Sequence, residues 1–283
     1  MKILIIGLGV IGGSYAMGLS KNHTVYGVDT NQKTIDDAKR LGYIVDGDTT
    51  PERFLPDCEF VVLAIYPSMI LPFIKNHQFK PHTIITDVAG VKENFIYSVG
   101  EYLPQDVEFI GSHPMAGKEK RGFDYADNKV FQGANFLITP CNNSEYAISV
   151  LKSIATELGF KRITVMTPHY HDQMIAFTSQ LTHAIAVSLV NSDNDPNTPY
   201  YTGDSYRDLT RIAQINEDLW SELFLENKAN LLEKIETFEE SLNDVKEALI
   251  HNDQERLKEL FISSTKKRVV FNETNWNYCI GKL

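Results

Sequence analysis

The sequence predicts an α/β protein whose N-terminal half is a doubly wound parallel sheet and whose C-terminal half is all helical. Three observations predict it. Short apolar runs alternate with amphipathic stretches up to about residue 165. A glycine-rich turn joins the first run to the first helical stretch. From Thr167 onward, Gly and Pro nearly vanish outside one loop, and apolar residues recur at helical spacing.

The apolar runs are residues 2–6, 24–28, 59–65, 83–86, 108–110, 135–138 and 162–165, each short and rich in Val, Ile or Phe. Between them, stretches such as 31–41 and 144–158 have one apolar face. Strands alternating with helices form βαβ units, and parallel strands buried on both faces read as continuous apolar runs. Thr167-Pro168 marks a helix start, with Pro in the first turn, and the helical pattern runs to about Asn191. Residues 192–204 form a turn-rich loop with two prolines. Phe224, Leu231, Ile235, Phe238, Leu242, Val245 and Leu249 then make an apolar seam read as one long helix. The seam is either a core-facing stripe or a subunit interface, and its length favours packing between subunits. The boundary near Met166 gives two domains, 1–165 and 166–283.

Lys and Arg number 27 against 37 Asp and Glu, a net charge of −10. Such acidity argues against nucleic acid or anionic membrane as partner. No continuous run of 18 apolar residues occurs, so no membrane span is expected, and the apolar N-terminus reads as a buried strand rather than a leader. Cys58, Cys141 and Cys279 are widely spaced and unpaired in sequence, which fits a reducing, cytoplasmic setting.

Gly7-Leu8-Gly9-Val10-Ile11-Gly12 is a G-x-G-x-x-G sequence between a strand-like and a helix-like run. In that context Gly7 permits the tight turn, Gly9 lets backbone approach a pyrophosphate, and Gly12 lets helix pack on strand. The half is therefore Rossmann-like. The second strand ends in Asp29, which can accept from ribose hydroxyls and repel a 2′-phosphate. Thr30 and Asn31 follow it, with no Arg for such a phosphate, so NAD is expected over NADP.

Residues 110–123, IGSHPMAGKEKRGF, lie just past a strand, where such sheets place ligands. His113 there can take a proton from a hydroxyl near neutral pH. The same stretch can equally be read as a surface loop with a structural His. Read alone, His169, His171 and His183 are surface or capping side chains. His171 and His183 are 12 residues apart, about 120° out of line on a regular helix. No H-E-x-x-H or close ligand set occurs, so no metal is expected. Arg207 and Arg211 are four apart, either a solvated face or a bidentate grip on a carboxylate.

After the glycine motif come TDVAGVK (86–92), SHPMAGKEK (112–120), His171-Asp172, S-x-L-x-H (179–183), RDLTRIA (207–213) and FLENK (224–228). In this order they resemble the prephenate dehydrogenase family, which includes the arogenate dehydrogenases. The resemblance runs from Met1 to about Val270. It implies NAD-dependent oxidative decarboxylation of prephenate to 4-hydroxyphenylpyruvate in tyrosine biosynthesis, on a homodimer joined through an all-α C-terminal dimerisation domain. It implies His113 as the catalytic base and Arg211 as the grip on a substrate carboxylate. His183 would sit in the substrate pocket and Glu119 at its mouth, with Ser112, Arg207 and Ser179 on the substrate side. Asp208 and Trp220 match positions near the pocket. Asp87 would join Gly7, Leu8, Gly9, Val10, Ile11, Gly12 and Asp29 on the cofactor side.

Two departures stand out. Gly90 occupies a position where the family often has a Ser supporting the catalytic His. Gln180 and Thr182 depart from the common S-H-x-P-H pocket pattern, at the end of the substrate where arogenate differs from prephenate. Arogenate dehydrogenase is thus the alternative within the family. A two-domain hydroxyacid dehydrogenase and a catalytically dead NAD sensor are the others. The chain ends soon after the helical part, so no regulatory or chorismate mutase domain is expected, and any tyrosine feedback is expected to act at the active site.

Overall fold

The computed structural model describes residues 1–117 and 120–280, the last nine by backbone alone. The chain forms two compact units, Met1–Leu231 and Leu232–Leu283.

In the larger unit eight strands form one sheet. They are β1 (Lys2–Ile6), β2 (Thr24–Val28), β3 (Asp46–Asp48), β4 (Phe60–Leu63), β5 (Ile84–Asp87), β6 (Glu108–Met115), β7 (Asn135–Thr139) and β8 (Arg162–Val165). Their order is β3-β2-β1-β4-β5-β6-β7-β8. The helices α1 (Val10–Leu19), α2 (Gln32–Arg40), α3 (Pro67–Asn76), α4 (Glu93–Val99) and α5 (Glu145–Leu158) alternate with the strands. Ile3 and Ile5 of β1, with Phe60 and Val62 of β4, enter one core; Leu4, Ile6, Val61 and Leu63 enter the other. Successive side chains on a strand alternate faces, so these unbroken apolar runs fill two cores at once.

The parallel sheet has one exception. β6 and β7 pair antiparallel, with His113 opposite Leu137, and β7 and β8 are parallel to each other. The expected strand at 108–110 runs on to Met115, so His113 lies within a strand and not on a loop past it. β3, with sequence DGD, has no strand signal and exists through its pairing with β2.

Beyond β8 come α6 (Pro168–Ile175), a π-helical turn (Ala176–Gln180), α7 (Leu181–Asn191), α8 (Asp204–Thr210) and α9 (Glu217–Glu226). The run Pro168–Asn191 has the length and apolar content of a membrane span. Its Ile175, Ala176, Leu181 and Ala186 are buried, and so are His171, Asp172 and Gln180, which bond to polar groups of other elements. That pattern belongs to a helix packed along one face, with Phe177, Leu189 and Val190 left exposed.

The apolar seam lies on two helices, not one. Phe224 is on α9, Asn227 interrupts, and Leu231 onward lie on α10 (Lys228–Ile250). In the smaller unit the last part of α10 precedes α11 (Gln254–Ile280), and Arg256 pairs with Asp244 at 3.2 Å. Leu242, Leu249, Ile250, Phe261, Ile262, Val269, Val270 and Phe271 are all exposed there.

Candidate active site

After β1 the chain leaves the sheet toward β2 on one side and later returns to β4 on the other. The crevice between β1 and β4 is therefore the topological switch point, where such sheets bind ligands. A cavity of about 1430 Å³ opens there.

One end is built on the glycine turn. Gly7 has φ +89, and a Cβ there would stand 2.4 Å from the carbonyl oxygen of Ala64. A Cβ on Gly12 would fall 1.8 Å from the carbonyl oxygen of Gly7. At Gly9 a Cβ would meet nothing within 4 Å, so backbone there is open to a ligand. Gly7, Gly9, Val10, Ile11, Gly12 and Asp29 all line the cavity. The Leu8 side chain is core, and its contribution is the backbone N–H, which donates to Asp29 Oδ2 at 2.8 Å. The Asn31 N–H donates to Oδ1 at 2.9 Å. The carboxylate is thus aimed before any ligand arrives. A cradle closed to Cβ atoms at two glycines, open at the third and followed by a fixed carboxylate fits a dinucleotide.

At the other end, β6 presents His113 and α7 presents His183. The π-helical turn supplies Ser179, and the 3₁₀ turn Arg211–Ala213 supplies Arg211; all four line the same cavity. His183 stacks on Trp220 of α9, ring centroids 3.6 Å apart. Lys120 and Arg121 also line it, and Arg121 reaches Glu217 at 2.6 Å. Glu119 and Lys118 lie outside the described residues.

Three expected contacts take other roles. Ser112 is fully buried; its hydroxyl donates to the Asp87 backbone oxygen at 2.6 Å and accepts from Thr86 Oγ1 at 2.9 Å. It therefore anchors β6 to β5 instead of touching substrate. Asp87 is fully buried beneath the turn it begins, where it accepts from the N–H groups of Ala89 (2.9 Å) and Ser112 (3.0 Å). It shapes the turn after β5 from below. Arg207 is exposed and pairs with Asp204 at 2.9 Å; the Arg211 N–H still bonds to its carbonyl one helical turn on, but only Arg211 lines the cavity. Asp208 is exposed too, 3.6 Å from Arg207.

The structure also reveals what the sequence reading missed. His171 is fully buried, not a surface or capping residue. Its Nε2 lies 3.0 Å from Nδ1 of His113, and its Nδ1 lies 2.6 Å from Asp172 Oδ1. The π-helical turn removes the 120° offset expected of a regular helix. One extra residue absorbed there leaves about 11 regular steps, or ~1100°, within roughly 20° of three full turns. His171 and His183 therefore face the same way from one continuous helix. Lys92 is also fully buried, 2.5 Å from Asp87 Oδ2 and 2.6 Å from the Ala89 carbonyl. The Val-Lys of TDVAGVK and the His-Asp pair at a helix start were the available signals.

Burial pushes the His113 pKa well below 6.5, and neighbouring His171 and Lys92 push it the same way. Burial also lowers His171, against the pull of Asp172. Lys92 is lowered by burial, with Asp87 opposing. A neutral imidazole at the wall of a cavity is equipped to accept a proton.

The chain matches the nucleotide-binding domain model of prephenate dehydrogenase over residues 16–164 and its dimerization domain model over 167–263. The chain belongs to the prephenate dehydrogenase family. It is 28% identical to prephenate dehydrogenase of Bacillus subtilis, over 92% of this chain and 72% of the relative. It is 30% identical to cyclohexadienyl dehydrogenase of Zymomonas mobilis, over 94% of both chains. The solved prephenate dehydrogenase of A. aeolicus, in complex with hydroxyphenyl propionate and NAD⁺, superposes with a TM-score of 0.87 at 30% identity, covering 96% of this chain and 98% of that one. Among the described residues of this family member, no group of three His, Cys, Asp or Glu is placed to hold a metal. At Gly90, a Cβ would stand 3.8 Å from His113 Cε1 and 3.3 Å from Leu223 Cδ2. A side chain at this position would indeed adjoin the imidazole.

Proposed function

We propose that the chain catalyses NAD-dependent oxidative decarboxylation of prephenate to 4-hydroxyphenylpyruvate, the dehydrogenase step of tyrosine biosynthesis. The observation that carries this reading is one cavity holding the dinucleotide cradle, a neutral His113 and Arg211, in a chain of this family.

Gly7, Gly9, Gly12 and Asp29 would hold NAD, with the pyrophosphate over the start of α1. Bound NAD supplies the hydride acceptor. His113 accepts the proton of the ring hydroxyl as the carbon bearing it is oxidised. Loss of the ring carboxylate as carbon dioxide makes the ring aromatic, so the step runs one way. Arg211 grips a substrate carboxylate through charge-assisted hydrogen bonds. Ser179, His183 and Trp220 shape the side-chain end, and Glu119 is proposed at the mouth. Gln180 donates to the Leu223 carbonyl at 2.8 Å and accepts from Asn227 at 2.8 Å. Its amide is thus engaged by protein, and arogenate, which differs at this end of the substrate, is the second reading.

The deciding assay follows NADH at 340 nm with prephenate or arogenate, each with NAD or NADP. Turnover with prephenate and NAD is the expected result. A preference for arogenate would move the specificity to residues 179–183, and no turnover with either would defeat the reading. Arg211→Ala is expected to raise KM for prephenate by roughly 30- to 5000-fold, the equivalent of ~2–5 kcal/mol for a truncated charge pair, with a smaller change in kcat. An unchanged KM would remove Arg211 from the site.

The pH dependence follows from the lowered His113 pKa. Because the base must be neutral, activity stays on its plateau at pH 6.5 and falls only further toward acid. A limb centred at or above 6.5 in the kcat/KM profile would contradict this. The same sign governs stability. The unfolded histidines take up protons near pH 6.5 and the folded pair does not, so stability present above that pH is lost as pH falls.

Residues 1–165 are proposed as the NAD-binding domain and 166–283 as the substrate and dimerisation domain. The exposed Phe261, Ile262, Val270 and Phe271 on α11 support a homodimer through the helical part. The unpaired Cys58 and Cys141 suit a cytoplasmic setting.

A further inference from the structure

The catalytic imidazole is not isolated. Behind it runs a buried chain, His113–His171–Asp172, ending on the start of α4. Asp172 accepts from the backbone N–H of Lys92 (3.0 and 3.2 Å) and of Glu93 (2.8 Å), besides facing His171 Nδ1 at 2.6 Å. Backbone N–H groups can only donate, and an ionised carboxylate can only accept. Asp172 is therefore set as an acceptor on every side, and His171 Nδ1 must carry the proton between them. A neutral His171 then has a bare Nε2. That atom faces His113 Nδ1 at 3.0 Å, so His113 Nδ1 must be the donor. What remains on His113 is a bare Nε2.

We propose that His171 and Asp172 are positioning residues that fix both imidazoles as Nδ1–H tautomers and so keep Nε2 of His113 as the proton acceptor. The proposal rests on the reading of His113 as the base. It explains why a His-Asp pair and a buried Lys92 gather behind one cavity wall, where a core made only for stability would be apolar. Which nitrogen of an imidazole is protonated is set by the hydrogen bond the other makes. It also gives a reason for the π-helical turn: 12 residues apart on a regular helix, His171 and His183 would not both face this site. With Gly90 offering no hydroxyl to His113, the His171 contact is the side-chain hydrogen bond described for its ring.

The test uses imidazole nitrogen NMR on full-length protein, with and without NAD, together with steady-state kinetics of His171→Phe and His171→Gln. The expected spectrum shows both His113 and His171 protonated at Nδ1. His171→Phe removes the acceptor, lets the Nε2–H tautomer of His113 appear, and lowers kcat on the order of 10- to 100-fold, as loss of an imidazole's outer partner does elsewhere, with KM for prephenate changed by less than about twofold. His171→Gln recovers most of the loss, because its amide can accept from His113 and donate to Asp172. A wild-type His113 protonated at Nε2 would overturn the proposal, and so would a folded His171→Phe with wild-type kcat. Should His171→Phe not fold, the wild-type tautomer and the His171→Gln kinetics decide. Failure of the wild type to oxidise prephenate would instead defeat the functional reading, which the tautomer measurement does not depend on.

Discussion

His113→Ala is expected to lower kcat by roughly 10²- to 10⁴-fold, the span general acid–base catalysis contributes. The substitution removes an imidazole that borders the cavity and has its Nδ1 tied to the buried His171. It leaves the glycine cradle and Asp29 untouched, so the affinity for NAD measured by fluorescence or calorimetry should stay within a factor of about two. Arg211, on a separate turn, still holds the carboxylate, so KM should move far less than kcat. A transition-state interaction is lost without ground-state binding, and that split identifies it. Turnover near the wild-type rate would take His113 out of the mechanism.

Lys92→Met is expected to destabilise the folded chain by about 3–5 kcal/mol, the usual result of stranding one partner of a buried ion pair. Lys92 and Asp87 are both fully buried and 2.5 Å apart. Methionine fills similar volume but cannot answer the carboxylate, which keeps only the N–H groups of Ala89 and Ser112. In a protein of this size the loss amounts to a fall in Tm on the order of 10 °C. Adding Asp87→Asn to Lys92→Met should restore much of it, because no charge is then stranded. Urea unfolding of the single and double variants makes the comparison, and a loss below about 1 kcal/mol for Lys92→Met would show that the pair carries little of the fold.

Much of the sheet was legible because parallel strands with two buried faces leave unbroken apolar runs. β1, β2 and β8 fall on the expected residues. β3 was not legible, since Asp-Gly-Asp has no strand preference and only tertiary pairing makes it one. Nor was the extension of β6 through Pro114, which a local reading takes as a stop. In the site, the cofactor cradle was readable because the glycines answer to local backbone geometry. Arg211 and His183 were placed by motif, and the structure brings both to the cavity. The roles of His171 and Lys92 were not read from these segments, because His171 meets His113 on β6, 58 residues away, and the burial of Lys92 over Asp87 depends on how the turn after β5 is covered. Polar residues near helix starts read as solvent-facing until the docking is known. Arg207 shows the opposite error: it stands one helical turn before Arg211, yet its side chain turns to Asp204 and only Arg211 lines the cavity.

The wide turn at Ala176–Gln180 has a consequence for insertions and deletions. It works as a phase joint: α6 is keyed to β6 through His171, α7 is keyed to α9 through the His183–Trp220 stack, and the joint absorbs the mismatch. Removing the exposed Thr178 should convert the joint to ordinary helix while both keyed ends keep their facing, and the protein should stay folded. Removing Thr182, past the joint, would swing His183 by ~100° off Trp220 and out of the pocket. Two deletions four residues apart, each of a single threonine, would then separate in prephenate binding while NAD binding reads the same in both.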